Sequence, residues 1–326
     1  MHFVKDATYL ERYKLAVTFE DGQRRVVDLE RHLEGEIFEP LRDIDYFQSF
    51  RVDPDLDTIA WDNGADISPN FLYDIGVSST DQSALFTKSK SGVKLFTDFR
   101  QRLIIDRYDP ILVKMRQPKL DRLHSENSED VFTWNVFRSL RQIDPNVWFP
   151  RLFEQCFGYQ FQVPVQEFAM ELWPSLSPPK TLPWIEGKSE IDVRIETESF
   201  VWFIEAKLKS DVSPKVTHNR NRDQILRNLD VGSCYAKPRD FYFALLILDR
   251  TYTPHGLALL EDYAKHPDKV LNGLPHRSNQ LANIKGIGQF TWFDIAAILA
   301  KSAVNPDEQH FATNLLNWLK QNGVTW

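Results

Sequence analysis

The sequence predicts an α/β protein in two parts: a small α+β unit, then a larger α/β unit with a central mixed sheet flanked by helices. Three observations lead there. The length of 326 residues suits two domains that can each bury a core. The chain carries a net charge of −7, yet residues 1–76 hold 8 Lys/Arg against 17 Asp/Glu, and the rest holds 31 against 29. Short alternating β-type runs dominate the acidic part, whereas residues 190–248 read strand, strand, helix, strand. Residues 1–76 are expected as an accessory unit, the Ser/Thr/Lys-rich stretch 77–93 as a linker, and 94–326 as the main unit, ending in helices.

In the first unit, Tyr13 to Phe19 alternates, Glu20-Asp21-Gly22-Gln23 makes a turn, and Arg24 to Leu29 is a second β-rich run, which together read as a hairpin. A short helix is expected near Ile44 to Phe47, and Phe50-Arg51-Val52 and Thr58-Ile59-Ala60-Trp61 flank a turn at Asp53 to Asp57. The acids Asp53, Asp55 and Asp57 mimic the start of a calcium loop, but Thr58 stands where that loop needs glycine and Gly64 where it needs a bidentate Glu. A solvated turn is expected instead. With its Asp21-Gly22 turn, its Trp61-Asp62-Asn63-Gly64-Ala65-Asp66-Ile67 segment and its closing Leu72-Tyr73, this unit resembles a small bacterial domain family of unknown function, described as antitoxin-like. The resemblance implies a compact domain that binds a partner, with no chemistry of its own.

The main unit opens with a helix capped by Ser128, with Glu129 and Asp130 in its first turn and Val131, Phe132, Val136, Phe137 and Leu140 as its apolar positions. Its informative stretch, Glu190 to Lys207, reads as two strands and a polar turn at Thr197-Glu198. Side chains alternate along a strand, so Glu190 and Asp192 share one face and Glu205 and Lys207 share another. This turn sets Glu190 opposite Glu205, with Asp192 on the diagonal. Carboxylates gathered on strands otherwise fit for burial repel one another, and an all-oxygen set of this kind suits Mg²⁺ or Mn²⁺. A helix at Arg220 to Leu229, with Gln224 and Arg227 on one side, and a strand at Phe241 to Leu248 follow. Two further helices, Asp294 to Ala303 and Asp307 to Gln321, close the chain.

Asp192, the tripeptide Glu205-Ala206-Lys207, the helix pair Gln224 and Arg227, and an acid on the preceding helix, Glu129 ahead of Glu126, stand in the order of the PD-(D/E)XK, or restriction-endonuclease-like, nuclease superfamily, which residues 120–250 resemble. Ile191 replaces the nominal proline. The resemblance implies an Mg²⁺-dependent phosphodiesterase acting on nucleic acid, DNA ahead of RNA. Asp192, Glu205, the Ala206 carbonyl and Glu129 would hold the ion, Lys207 would orient water, and Gln224 and Arg227 would position the strand. Arg220, Arg222 and Lys209, within the basic run Lys207 to Arg227, join Arg227 as expected nucleic-acid contacts. Double-strand cleavage by this fold implies a homodimer, and the first unit is expected to regulate or recruit a protein partner, in defence or mobile-element control. The competing expectation is a catalytically silent nuclease fold that binds, or an antitoxin-like regulator.

Composition removes other classes. Apolar residues at 42% and charged ones at 26% describe a folded chain. Cys156 and Cys234 form neither a disulfide framework nor a zinc cluster, and the eight histidines are scattered without HExxH. No GxSxG or Walker loop occurs, and Lys285-Gly286-Ile287-Gly288 lacks the context for phosphate. The longest apolar run, Phe241 to Leu248, is too short for a membrane, and the N-terminus lacks a signal-peptide core. A cytoplasmic protein without membrane contact is expected.

Overall fold

Alternating hydrophobicity and a few turn residues account for most of the elements seen in the computed structural model. It describes residues 2–78, 86–161, 168–215, 222–277, 280–302 and 305–324, and the chain divides into units 1–97 and 98–326.

In the first unit β1 (Val4–Glu11), β2 (Lys14–Phe19) and β3 (Arg24–Asp28) form an antiparallel meander. Gly22, at φ 83°, supplies the left-handed residue of the β2–β3 turn. The Asp43 carboxylate accepts from the Asp45 and Tyr46 amides and so starts α1 (Ile44–Phe47). β4 (Arg51–Asp53), β5 (Thr58–Ala60) and β6 (Asp66–Ile67) make a small second sheet, and α2 (Pro69–Ile75) leads into β7 (Val77–Ser78), which pairs with β3. In the acidic turn, Asp53 accepts from the Asp55 and Leu56 amides at 3.0 and 3.3 Å, so its carboxylate is used locally, as expected of a turn. Buried Trp61 donates from Nε1 to the Phe47 carbonyl at 2.9 Å and ties the second sheet to α1.

The stretch expected as a linker is largely structured among its described residues, a correction to 77–93. Val77 completes the first sheet opposite Val26, and β8 (Phe86–Lys88) and β9 (Lys94–Phe96) form a hairpin. Ser89 and Gly92 turn that hairpin, the Ser89 hydroxyl accepting from the Val93 amide. Hairpin arms this short carry few apolar residues, so their composition resembles that of a linker. The boundary falls after Thr97.

The second unit begins with α3 (Pro110–Val113), α4 (Gln117–Leu123), α5 (Glu129–Leu140) and α6 (Pro145–Phe157). Strands β10 (Ala169–Leu172), β11 (Ser175–Leu176), β12 (Ser189–Glu190), β13 (Val193–Glu196) and β14 (Phe200–Ala206) follow. Then come α7 (Gln224–Ala236), β15 (Asp240–Ile247), α8 (Pro254–Lys265), α9 (Pro267–Gly273), β16 (Ile284–Thr291), α10 (Trp292–Ser302) and α11 (Pro306–Gln321). The central sheet is mixed, in the order β10-β13-β14-β15-β16, antiparallel up to β14 and parallel beyond it. All seven residues of β14 are buried because helices cover both faces. Phe200, Trp202 and Ile204 enter a core shared with α5, α6, α10 and α11, and Val201 and Phe203 enter one shared with α7, α8 and α9. Trp134, Trp148, Trp202 and Trp292 are core, as expected. No helix among the described residues is long and apolar enough to cross a membrane.

A Cβ at Gly232 of α7 would lie 2.1 Å from Phe241 Cζ and 2.9 Å from Phe203 Cδ2, so glycine sets how closely α7 approaches the sheet. Gly232→Ala is expected to destabilise by about 1–3 kcal/mol through overpacking, outweighing the roughly 1 kcal/mol of helix propensity it gains. The urea midpoint of the purified variant is the check.

Candidate active site

Asp192 lies in the break between β12 and β13. Its carbonyl accepts from the Trp173 amide at 3.1 Å, while the Ile191 amide donates to the Pro174 carbonyl. Trp173 adopts a left-handed φ of 56°, a conformation that costs a non-glycine residue about 1–3 kcal/mol and gathers at functional sites. Val193 pairs with Ile204, so the next pair outward sets Asp192 opposite Glu205. The expected register was two residues away. The turn centres on Glu198-Ser199, with the Thr197 amide donating to the Phe200 carbonyl, one residue later than Thr197-Glu198. Each side chain keeps its face, but Asp192 replaces Glu190 as the partner of Glu205.

Asp192 Oδ2 accepts from the Ala206 amide at 2.9 Å. Glu205, 4% exposed, is held by three donors: Lys207 Nζ at 2.7 Å and Gln224 Nε2 at 2.5 Å on Oε1, and Asn228 Nδ2 at 2.9 Å on Oε2. Gln224 and Asn228 reach it together because residues four apart share a helix face. Ser128 caps α5 through the Val131 amide and places Glu129 at its first turn. Glu129 Oε1 lies 3.6 Å from Lys207 Nζ, and Oε2 accepts from the Leu208 amide at 2.9 Å and the Ser210 hydroxyl at 2.8 Å. Thus Glu129, and not Glu126, is the helix acid that reaches Lys207. The Glu126 carbonyl accepts from buried Arg102 at 2.9 Å.

Burial, and next the charge of Glu205, push the Asp192 carboxyl well above the usual carboxylate range, against the pull of Lys207. Burial works to lower the Lys207 pKa, but Glu205, Glu129 and Asp192 outweigh it and raise it, keeping the ammonium charged.

The other expected residues divide. Gln224 is in the site; Lys209 is exposed and donates to Asn127 Oδ1 at 3.0 Å. Arg222 is a correction: it is 1% exposed and bridges Glu186 at 3.1 Å and Asp230 at 2.7 Å, so it faces the interior and not a phosphate. A buried guanidinium needs paired carboxylates, and both partners lie beyond the local pattern that had suggested a basic helix. Arg227, a quarter exposed, pairs with Glu186 at 2.7 Å and donates to the Gly187 and Lys188 carbonyls. It braces the loop that leads into β12. Arg220 and His218 lie outside the described residues. Glu190 accepts from Lys119 Nζ at 2.5 Å and belongs to a separate cluster.

Among the described residues no group of three or more His, Cys, Asp or Glu stands ready to cage a metal ion. Mg²⁺ does not require one, since it is commonly held by one or two carboxylates, with waters and substrate phosphate completing its shell. Asp192 and Glu205 supply such a pair, and three of the roughly four acceptor positions of Glu205 are taken. Burial first, and then the charge of Glu205, raise the Asp192 pKa against the pull of Lys207, and a cation beside the pair would favour its ionised form. The donor set therefore fits a hard divalent cation at Asp192 and Glu205.

Residues 4–78 match a protein family of unknown function (DUF2442), which covers most of the first unit and leaves the second unmatched. No curated protein and no solved structure matches the chain.

Proposed function

We propose that the second unit is a divalent-cation-dependent phosphodiesterase of the PD-(D/E)XK type acting on nucleic acid, DNA ahead of RNA, with the acidic first unit as an accessory or regulatory domain. The observation that carries this reading is Asp192 set opposite Glu205, with the Lys207 ammonium 2.7 Å from Glu205, at the end of a central mixed sheet. Structural charges on an exposed edge would not be buried together like this; Glu205 and Lys207 are 4% and 6% exposed.

Asp192 and Glu205 would hold the cation, together with the carbonyl of Ala206, the residue after Glu205. When bound, the cation supplies a Lewis acid for the phosphate oxygen and lowers the pKa of a water. Lys207 orients the attacking water and offsets charge that grows on the phosphate in the transition state. Gln224 and Asn228 fix the Glu205 rotamer, and Glu129 anchors the segment after β14 through Leu208 and Ser210. Outer-shell hydrogen bonds of this kind hold ligands in register.

The test is incubation of the purified chain with labelled single- and double-stranded DNA and RNA in Mg²⁺, Mn²⁺ or EDTA. Cleavage in either metal and none in EDTA is expected. Binding without cleavage in every metal would favour the catalytically silent reading.

A further inference from the structure

The geometry points to a cationic cavity beside the site as a binding pocket for one phosphate-bearing nucleotide of the substrate strand. The cavity, about 470 Å³, is walled by Lys114, Arg116, Lys119, Arg122, Trp173 and Glu190. That is within the size range of small-molecule pockets. Identifying the nucleotide as part of the enzyme's own substrate rests on the function proposed above.

Charge argues for an anion. Lys119, 6% exposed, sits 3.0 Å from Asp130 and 2.5 Å from Glu190, with its ammonium 4.3 Å from the Trp173 ring centre. Arg122 shares Asp130 at 3.3 Å. The two acids are thus committed to Lys119 and Arg122, while Lys114 and Arg116, exposed at the rim, have no acidic partner within ion-pair distance among the described residues. Four cations against two carboxylates leave a surplus of two positive charges. Shape argues for a nucleotide over a bare phosphate. Ile111, Met115 and Pro118 add an apolar wall that a base or sugar would cover and an inorganic anion would leave wet.

Placement argues for the substrate strand. Glu190 lies two residues before Asp192, about 7 Å of extended chain, which equals the axial rise of roughly two nucleotides. Behind the pocket, Asp130, the partner of the lining residues Lys119 and Arg122, directly follows Glu129 on α5. The chain therefore runs into the site from the pocket's Glu190 wall and from the acid that backs its cations.

The test is the double variant Lys114→Glu/Arg116→Glu, titrated with a short single-stranded oligothymidylate in EDTA across a salt series. Both side chains are exposed, so the fold is preserved. Affinity is expected to fall at least about tenfold, with the slope of log K against log salt shallower by about 1–2. The reversal Lys301→Glu/Lys320→Glu, which changes net charge equally elsewhere, should bind like the parent. No measurable binding by the parent, an unchanged affinity and slope in the double variant, or an equal loss in the control reversal would overturn the proposal. If the parent cleaves in Mg²⁺ while the double variant binds normally, the pocket fails and the nuclease reading stands. If binding depends on Lys114 and Arg116 but no metal supports cleavage, the pocket stands and the nuclease reading fails.

Discussion

Asp192→Asn and Lys207→Met are each expected to lower the single-turnover cleavage rate by roughly 10²–10⁴-fold, the usual cost of deleting one preorganised electrostatic or proton-transfer group. The two should fail differently. Asn keeps an oxygen to accept from the Ala206 amide, so the strand break survives, but it removes one of the two anionic ligands and with it most of the affinity for Mn²⁺. Met fills the Lys207 volume and leaves both carboxylates in place, so the cation should still bind while the rate collapses. Mn²⁺ titration alongside the rate separates these outcomes. Loss of Mn²⁺ binding in Lys207→Met, or its retention in Asp192→Asn, would contradict the assigned roles.

The same two variants should move stability in opposite directions. Asp192 has a folded pKa above its unfolded value, so the folded chain retains a proton that the unfolded chain has already released. Metal-free stability therefore falls as pH rises from about 4, where an unfolded Asp ionises, through the raised folded pKa. Asp192→Asn removes that loss and should be the more stable protein at pH 7 in EDTA. Lys207 is shifted in the same direction but over a higher pH window: its folded pKa is raised, so its contribution is complete at pH 7, below the unfolded value of about 10.4, and disappears only as pH climbs through the folded one. Lys207→Met at pH 7 leaves Glu205 buried without its ammonium and should cost about 3–5 kcal/mol. Denaturant midpoints in EDTA across the pH range measure both. Added Mg²⁺ should stabilise the parent in proportion to the logarithm of its concentration once the site saturates, and should do little for Asp192→Asn.

The residues that meet at the site were visible in the sequence because they follow short-range rules. Asp192, Glu205 and Lys207 lie on adjacent strands whose alternation is clear, and Glu129 stands at a helix start marked by the cap Ser128, whereas the helix of Gln224, expected over Arg220 to Leu229, begins after the Asp223 cap and runs to Ala236. Asn228 could have been found as well, one helical turn after Gln224. What escaped depends on tertiary partners. The turn registers one residue later than composition suggests, which moved Glu190 from Glu205 to Lys119, a residue 71 positions away. Arg222 looked like part of a basic surface because its acids, Glu186 and Asp230, approach only in the folded chain. Strand β16 hid behind its glycines: a Cβ at Gly288 would lie 2.5 Å from the Cys156 carbonyl, so close helix packing removed the β-branched signal that marks a strand. The first unit was legible from its hairpin turn and its Trp61 to Ile67 segment, and the family match over residues 4–78 falls on that same unit.

We propose that Asp192, Glu205 and Lys207 form a metal-dependent phosphodiesterase site. Its most direct test is the single-turnover cleavage rate of labelled duplex DNA as a function of Mg²⁺, for the parent and Asp192→Asn side by side. The parent's rate should rise with Mg²⁺ to saturation and vanish in EDTA, with no metal-dependent rate in the variant. Equal cleavage by both proteins, or cleavage by the parent that persists in EDTA, would contradict it.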